Sequence, residues 1–148
     1  MSKKYCDSAV TVRRANRDDM LAVAGMVQEL ADFEKMPEGP KITAKDLQRD
    51  GFDSSPPAFR CLVAEVKKEK ETAVAGYALY FPVYSTWEGR SMLLEDLYVR
   101  AGERRRGVGH RLFDAVAALS PKVAAEWIST YWSGTTHAHF TKAKALWT

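Results

Sequence analysis

A chain that sets Arg104-Arg105-Arg106-Gly107-Val108-Gly109 between a strand-like stretch, residues 92–99, and a helix-like stretch, residues 110–119, has little freedom in how that region folds. The two glycines make a tight turn at the start of a helix, where first-turn N–H groups and the positive end of the peptide dipoles point outward. Such a turn holds an anion against the main chain, and a pyrophosphate is the natural ligand. Three arginines beside it add charge for the same group. The run lacks the Lys-Ser/Thr of a Walker-type loop and the glycine spacing of a dinucleotide fingerprint, so neither a nucleoside triphosphate nor NAD is the first expectation. Taken alone, the arginines are equally a solvated surface or a general phosphate patch. The glycines at the helix start favour the cradle.

With 148 residues, 46% of them apolar, the chain can build one domain with a real core. Its net charge of +3 is small, and basic residues are scattered outside 100–111, which argues against a nucleic-acid face. Cys6 and Cys61 are too few for a disulfide framework or a zinc site, and His137 and His139 have no further ligand near them in sequence. No stretch is long and apolar enough to span a membrane, and Met1-Ser-Lys-Lys-Tyr5 is no secretory signal, so a reducing cytoplasm is the expected compartment.

Periodicity organises the rest. Residues 9–13 alternate as a first strand, and Asn16 to Asp19 offer caps for a helix whose buried face is predicted to carry Leu21, Ala24, Val27, Leu30 and Ala31. Residues 35–40 form a loop, residues 43–50 a short helix stopped by Gly51, and Pro56-Pro57 an extended link. Residues 59–66, 73–83 and 91–99 read as strands, the first two joined by a charged turn over 67–71. In the last of these, strict alternation puts Glu95 on one face with Leu93, Leu97 and Val99, and Asp96 on the other with Leu94 and Tyr98. A carboxylate among apolar side chains loses solvation, which moves it toward a base useful near neutral pH. The alternative from the pattern alone is that Glu95 is half of an ion pair.

The Arg-x-x-Gly-x-Gly spacing between strand and helix resembles the acetyl-CoA loop of the GNAT N-acetyltransferases. Glu29-Leu-Ala-Asp-Phe-Glu-Lys35, Lys45-Asp-Leu-x-x-Asp-Gly-Phe52, Cys61-Leu-Val-Ala-Glu65, Tyr84-Ser-Thr-Trp-Glu-Gly89 and Leu94-Glu-Asp-Leu-Tyr-Val99 are similar, in that order, to the diamine acetyltransferases, which act on spermidine, spermine or thialysine. The resemblance implies an α/β (α+β) GNAT fold, a mixed and mostly antiparallel sheet flanked by helices, in one domain over residues 1–148 with 9–118 family-like. It implies acetyl-CoA as co-substrate and direct attack of a neutral amine in a ternary complex. Glu95 takes the base role, Leu97, Tyr98 and Val99 pair with the pantetheine arm, and Arg104, Arg105, Arg106, Gly107, Val108 and Gly109 hold the pyrophosphate. Phe33, Glu34, Ser85 and Trp87 match the amine channel, where a carboxylate and an indole face suit a cation. Without the resemblance, Phe33 reads as core packing and Glu34 as an exposed charge. Polyamine-acetylating members carry an aspartate before the tryptophan where this chain has Ser85-Thr86-Trp87, which points to a small lysine-like amine. The family also implies a homodimer.

From about residue 117 the likeness stops. The Trp-Asn motif and the tyrosine that protonates the departing thiolate are missing, and Tyr131 is no positional substitute. In a frame displaced by two bases, permissible codons for residues 123–148 reread as a segment like the missing one, so the atypical tail, 119–148, reads as a frameshift product. Two other readings stand beside the small-amine acetyltransferase: a non-catalytic acyl-CoA-binding relic, and a peptide or ribosomal-protein acetyltransferase, against which Phe33-Glu34 and Trp87 argue.

Overall fold

Three long, largely apolar segments pair in sequence order and carry the rest of the chain. In the computed structural model, which describes residues 9–87, 89–119 and 144–146, β1 (Val10–Arg14), β2 (Arg60–Lys68), β3 (Glu71–Ser85) and β4 (Gly89–Val99) run antiparallel, each beside the next. A fifth strand, β5 (Lys144–Leu146), pairs in parallel with Asp96, Leu97 and Tyr98 of β4. The sequence left the place beside the fourth strand without a recognisable occupant, and a piece of the atypical tail fills it. The remainder of the reread segment, with Tyr131, His137 and His139, and also Cys6, lie outside the described residues. Among the described residues, no helix is long and apolar enough to cross a membrane.

Each face of the sheet is covered by helix. On one side Leu62, Ala64, Val66, Ala78, Leu94, Leu97 and Val99 pack against Val108, Leu112 and Val116 of α3 (Val108–Leu119). On the other, Cys61, Val63, Tyr77, Leu79 and Tyr98 pack against Met20, Val23, Met26 and Leu30 of α1 (Met20–Phe33) and Leu47 of α2 (Ala44–Gln48). Fully burying each such side chain contributes roughly 1.5–3 kcal/mol. Gly76 is required where β3 passes beneath α3, since a Cβ there would stand 2.6 Å from the Tyr98 carbonyl oxygen and 3.1 Å from Leu112 Cδ1.

The cap ahead of the first helix appears where the sequence places it, and the second short helix has one as well. Asn16 and Asp19 form a reciprocal capping box ahead of α1, and Thr43 and Asp46 form another at α2. Two details differ from the expectation. The buried stripe of α1 is Met20, Val23, Met26, Leu30 and Ala31, while Leu21 is 70% exposed, because Met20, not Leu21, turns onto the sheet. After α2 the chain passes through Gly51 in a π-helical turn, Arg49–Asp53, instead of stopping there.

Candidate active site

The fourth strand departs from simple alternation at the position that matters most. Ladder partners run Leu79↔Asp96 and Tyr80↔Leu94, so Glu95 is an extra residue bulged out of the β3·β4 pairing. The inserted residue switches the faces: Leu94 and Leu97 both point toward α3, and Glu95 and Asp96 both reach the α1 side. Glu95 is therefore not packed among Leu93, Leu97 and Val99, as strict alternation had it. Both carboxylates instead line a cleft of about 310 Å³ walled by Val27, Leu30, Ala31, Met36, Gly39, Pro40 and Ile42. An apolar cleft with two acids at its floor suits a cation on a short aliphatic stem.

Asp96 is oriented by Tyr77, whose buried hydroxyl donates to Asp96 Oδ2 at 3.0 Å. Burial, and after it the Asp96 carboxylate, push the Tyr77 hydroxyl well above its usual range and keep it a donor. Sequence reasoning missed both residues. Their signal was weak, since only the bulge brings Asp96 beside Glu95.

At the other end of β4 the chain turns through Ala101–Glu103 into the arginine run. Arg105 and Gly107 have φ of 64° and 76°, and a Cβ on Gly107 would meet nothing within 4 Å. The turn is open, and the Arg111 N–H closes the first bond of α3 on the Gly107 carbonyl at 3.1 Å. Val108 and Gly109 are buried at the helix start. The three arginines do different things. Arg104 Nε donates to the Val99 carbonyl at 2.9 Å, with its guanidinium carbon 5.6 Å from the Tyr98 ring centroid. Arg106 pairs with Glu103 at 3.2 Å. Arg105 is exposed at the lip, with no ion-pair partner among the described residues.

The other expected site residues are spread more widely. Phe33, 60% exposed, ends α1, and Glu34 follows as its C-cap, its N–H bonded to the Leu30 carbonyl at 3.1 Å. Both lie in the chain between the cleft residues Ala31 and Met36 without lining the cleft. Ser85 and Trp87 lie at the tip of the β3–β4 hairpin, where the Trp87 N–H donates to Ser85 Oγ at 3.2 Å and the indole is 95% exposed. Six residues of β4 separate that tip from Glu95, roughly 20 Å of strand. Leu97 and Tyr98 pair with Ala145 and Leu146, so this stretch of the β4 edge carries the chain's own strand, and only Val99 lies past its end.

A sequence profile of the Acetyltransferase (GNAT) family matches residues 25–147. The chain belongs to the GNAT acetyltransferase family. It is 37% identical over 117 residues to the thialysine N-epsilon-acetyltransferase of Sus scrofa, covering 76% of this chain and 68% of that protein. The Mus musculus protein of the same name is 38% identical over the same shares. The spermidine/spermine N(1)-acetyltransferase-like protein 1 of Homo sapiens is 32% identical over 74% of this chain and 16% of its own length. Among solved structures, a ribosomal-protein-alanine N-acetyltransferase from Brucella melitensis biovar Abortus 2308 superposes with a TM-score of 0.59 at 16% identity, covering 90% of this chain and 96% of that one. A possible acetyltransferase from Clostridium difficile 630 gives 0.62 at 19%, covering 90% and 94%. At such identities these two bear on the fold alone.

GNAT acetyltransferases use acetyl-CoA as co-substrate, and the residues present fit it. The left-handed turn is open where a diphosphate needs room, and a helix opens beside it. The end of β4 also holds a buried polar atom that makes no hydrogen bond, Arg100 Nε, with its ion-pair partner Glu29 at 3.6 Å.

Proposed function

We infer that this GNAT acetyltransferase moves the acetyl group of acetyl-CoA to a small primary amine of the lysine or thialysine type, within a ternary complex. The observation that carries this reading is the bulge in β4, which presents Glu95 and Asp96 together on the floor of an apolar cleft while the same strand ends at an open, cationic turn.

Acetyl-CoA supplies a thioester-activated acetyl group. Arg105, Gly107 and the α3 amides hold its diphosphate, with Arg104 and Arg106 beside them, and the pantetheine arm meets β4 at Val99, because β5 already takes the edge at Leu97 and Tyr98. Since Arg104 Nε occupies the Val99 carbonyl and β5 ends opposite Tyr98, the arm takes over the Val99 contact as it enters past Leu146. A primary amine is mostly protonated at neutral pH. Asp96, fixed by Tyr77, attracts that cation into the cleft, and Glu95 removes its proton, directly or through water, before attack. Phe33 and Glu34 stand in the chain between the cleft residues Ala31 and Met36, whereas Ser85 and Trp87, roughly 20 Å of strand from Glu95, would meet only the far end of a longer polyamine. Ser85-Thr86 offers no carboxylate for a distal ammonium, which favours a short amine over spermidine. A homodimer in the cytoplasm, and a displaced reading frame behind the tail, belong to the same proposal; sedimentation and the coding DNA test them.

Calorimetry with acetyl-CoA, followed by acetylation assays on thialysine, lysine, spermidine and lysine peptides, tests the whole. Thialysine or lysine acetylated ahead of spermidine supports the reading. Binding without turnover on any amine would leave an acyl-CoA-binding relic, and turnover on peptides alone would transfer the chain to the peptide acetyltransferases.

A further inference from the structure

Glu103 is the buried charged residue among the described ones, and it sits where the chain enters the anion turn. Its two oxygens are divided between two cations from distant parts of the sequence. Oε1 pairs with Lys68 Nζ at the end of β2, and Oε2 with Arg106 Nη1 at 3.2 Å. The layering is the informative part: the Glu103 side chain is 10% exposed, that of Lys68 56% and that of Arg106 50%. A negative charge lies inside and two positive heads face outward.

One cation would be enough to make a buried carboxylate tolerable. Two leave the triplet with a net positive charge, and both cationic side chains are half exposed, so donors not used on Glu103 face solvent, one of them on Arg106 next in the chain to Gly107. Arg104, by contrast, is committed to the Val99 carbonyl and the Tyr98 ring. A hairpin lysine has no reason of its own to stand at the turn that leads into the arginine run. The acid brings it there.

We propose that Glu103 is a positioning residue which holds Lys68 and Arg106 as a two-cation brace on the anion turn, and that Lys68 is a further phosphate-binding residue for the nucleotide end of the coenzyme. The inference rests on residues 104–109 being the coenzyme cradle. Coenzyme A carries a diphosphate and a 3′-phosphate, either of which offers the oxyanions that an ammonium and a guanidinium recognise.

Calorimetry on the full chain with coenzyme A and with dephospho-coenzyme A tests it without relying on turnover. Lys68→Met is expected to weaken coenzyme A binding about tenfold, the size of one charge-assisted hydrogen bond, and to make the affinity less salt-dependent. Lys68→Arg should restore it, a rescue that a merely structural contact to Glu103 would not produce in the affinity. Glu103→Gln should weaken binding in the same direction, and should cost less once Lys68 is already Met, since only the share carried by Arg106 is then left to lose. A loss seen with coenzyme A but not with the dephospho form assigns Lys68 to the 3′-phosphate; a loss with both assigns it to the diphosphate. Should Glu103→Gln not fold, Lys68→Met and Arg106→Met carry the test, since both side chains are half exposed. Unchanged affinity in Lys68→Met, with Arg105→Ala weakened, overturns the brace while leaving the cradle. Unchanged affinity in Arg105→Ala as well removes the cradle, and the brace with it.

Discussion

Tyr77 on β3 reaches across the ladder to Asp96 on β4 and donates its hydroxyl hydrogen to Oδ2 at 3.0 Å, its ring wholly buried. The contact sets the direction of the second carboxylate in the cleft. Tyr77→Phe keeps the packing and removes one hydrogen bond to a carboxylate, so urea denaturation is expected to show a loss of about 1–3 kcal/mol. A variant as stable as the parent would mean that Asp96 is held by other groups. With acetyl-CoA saturating, KM for the amine should also rise.

Glu95→Gln tests the base. The bulge is a backbone feature and Gln is nearly isosteric, so the fold and the affinity for acetyl-CoA should remain. kcat is expected to fall about 10²–10⁴-fold, the usual range for a lost general base. An unchanged kcat would rule Glu95 out of proton removal.

Two glycines give opposite results for physical reasons. Gly107→Ala meets no neighbouring atom but retains a φ of 76°, so its cost is backbone strain of about 1 kcal/mol, with weaker coenzyme binding as the turn shifts. Gly76→Ala drives a methyl to within 2.6 Å of the Tyr98 carbonyl, and thermal unfolding should show a larger loss, roughly 2–4 kcal/mol, with β3 and β4 pushed apart. Similar melting temperatures for the two variants would contradict this.

Acid stability has a specific contributor in Asp19. Its hydrogen bond to Arg13, at 2.7 Å, leads the causes that hold its carboxyl below the usual aspartate range. A carboxyl depressed in the folded state adds stability above its unfolded pKa of about 3.9, and this is lost as pH falls through the lower folded value. Denaturation midpoints measured from pH 5 down to pH 2 should therefore fall less steeply in Asp19→Asn than in the parent. Equal slopes would show that the pair contributes nothing across that window.

Elements whose physics is local were legible in the sequence. The capping residue Asn16, the strands around Val63, Leu79 and Leu97, and the turn at Gly107 all follow from residue type and short-range spacing. What depends on how strands meet was not. Nothing in Leu94-Glu-Asp-Leu97 announces a bulge, because the extra residue is defined only against β3, and that one residue decides which face Glu95 occupies. The register of α1 was misjudged for a related reason, since Leu21 and Met20 are equally apolar and only the fold distinguishes them. Lys68 read as part of a charged turn, and its place beside Glu103 arises from tertiary structure alone.

The three residues of β5 form the shortest ladder among the described strands, against five, nine and ten paired positions in the others. So short a seam can unzip by itself while the remaining ladders hold, and amide hydrogens along it would exchange with deuterium well ahead of those between β2 and β3. The border where the main chain is fastened most lightly is also the one that runs past Asp96. A guest threading alongside β4 would need to part only that seam.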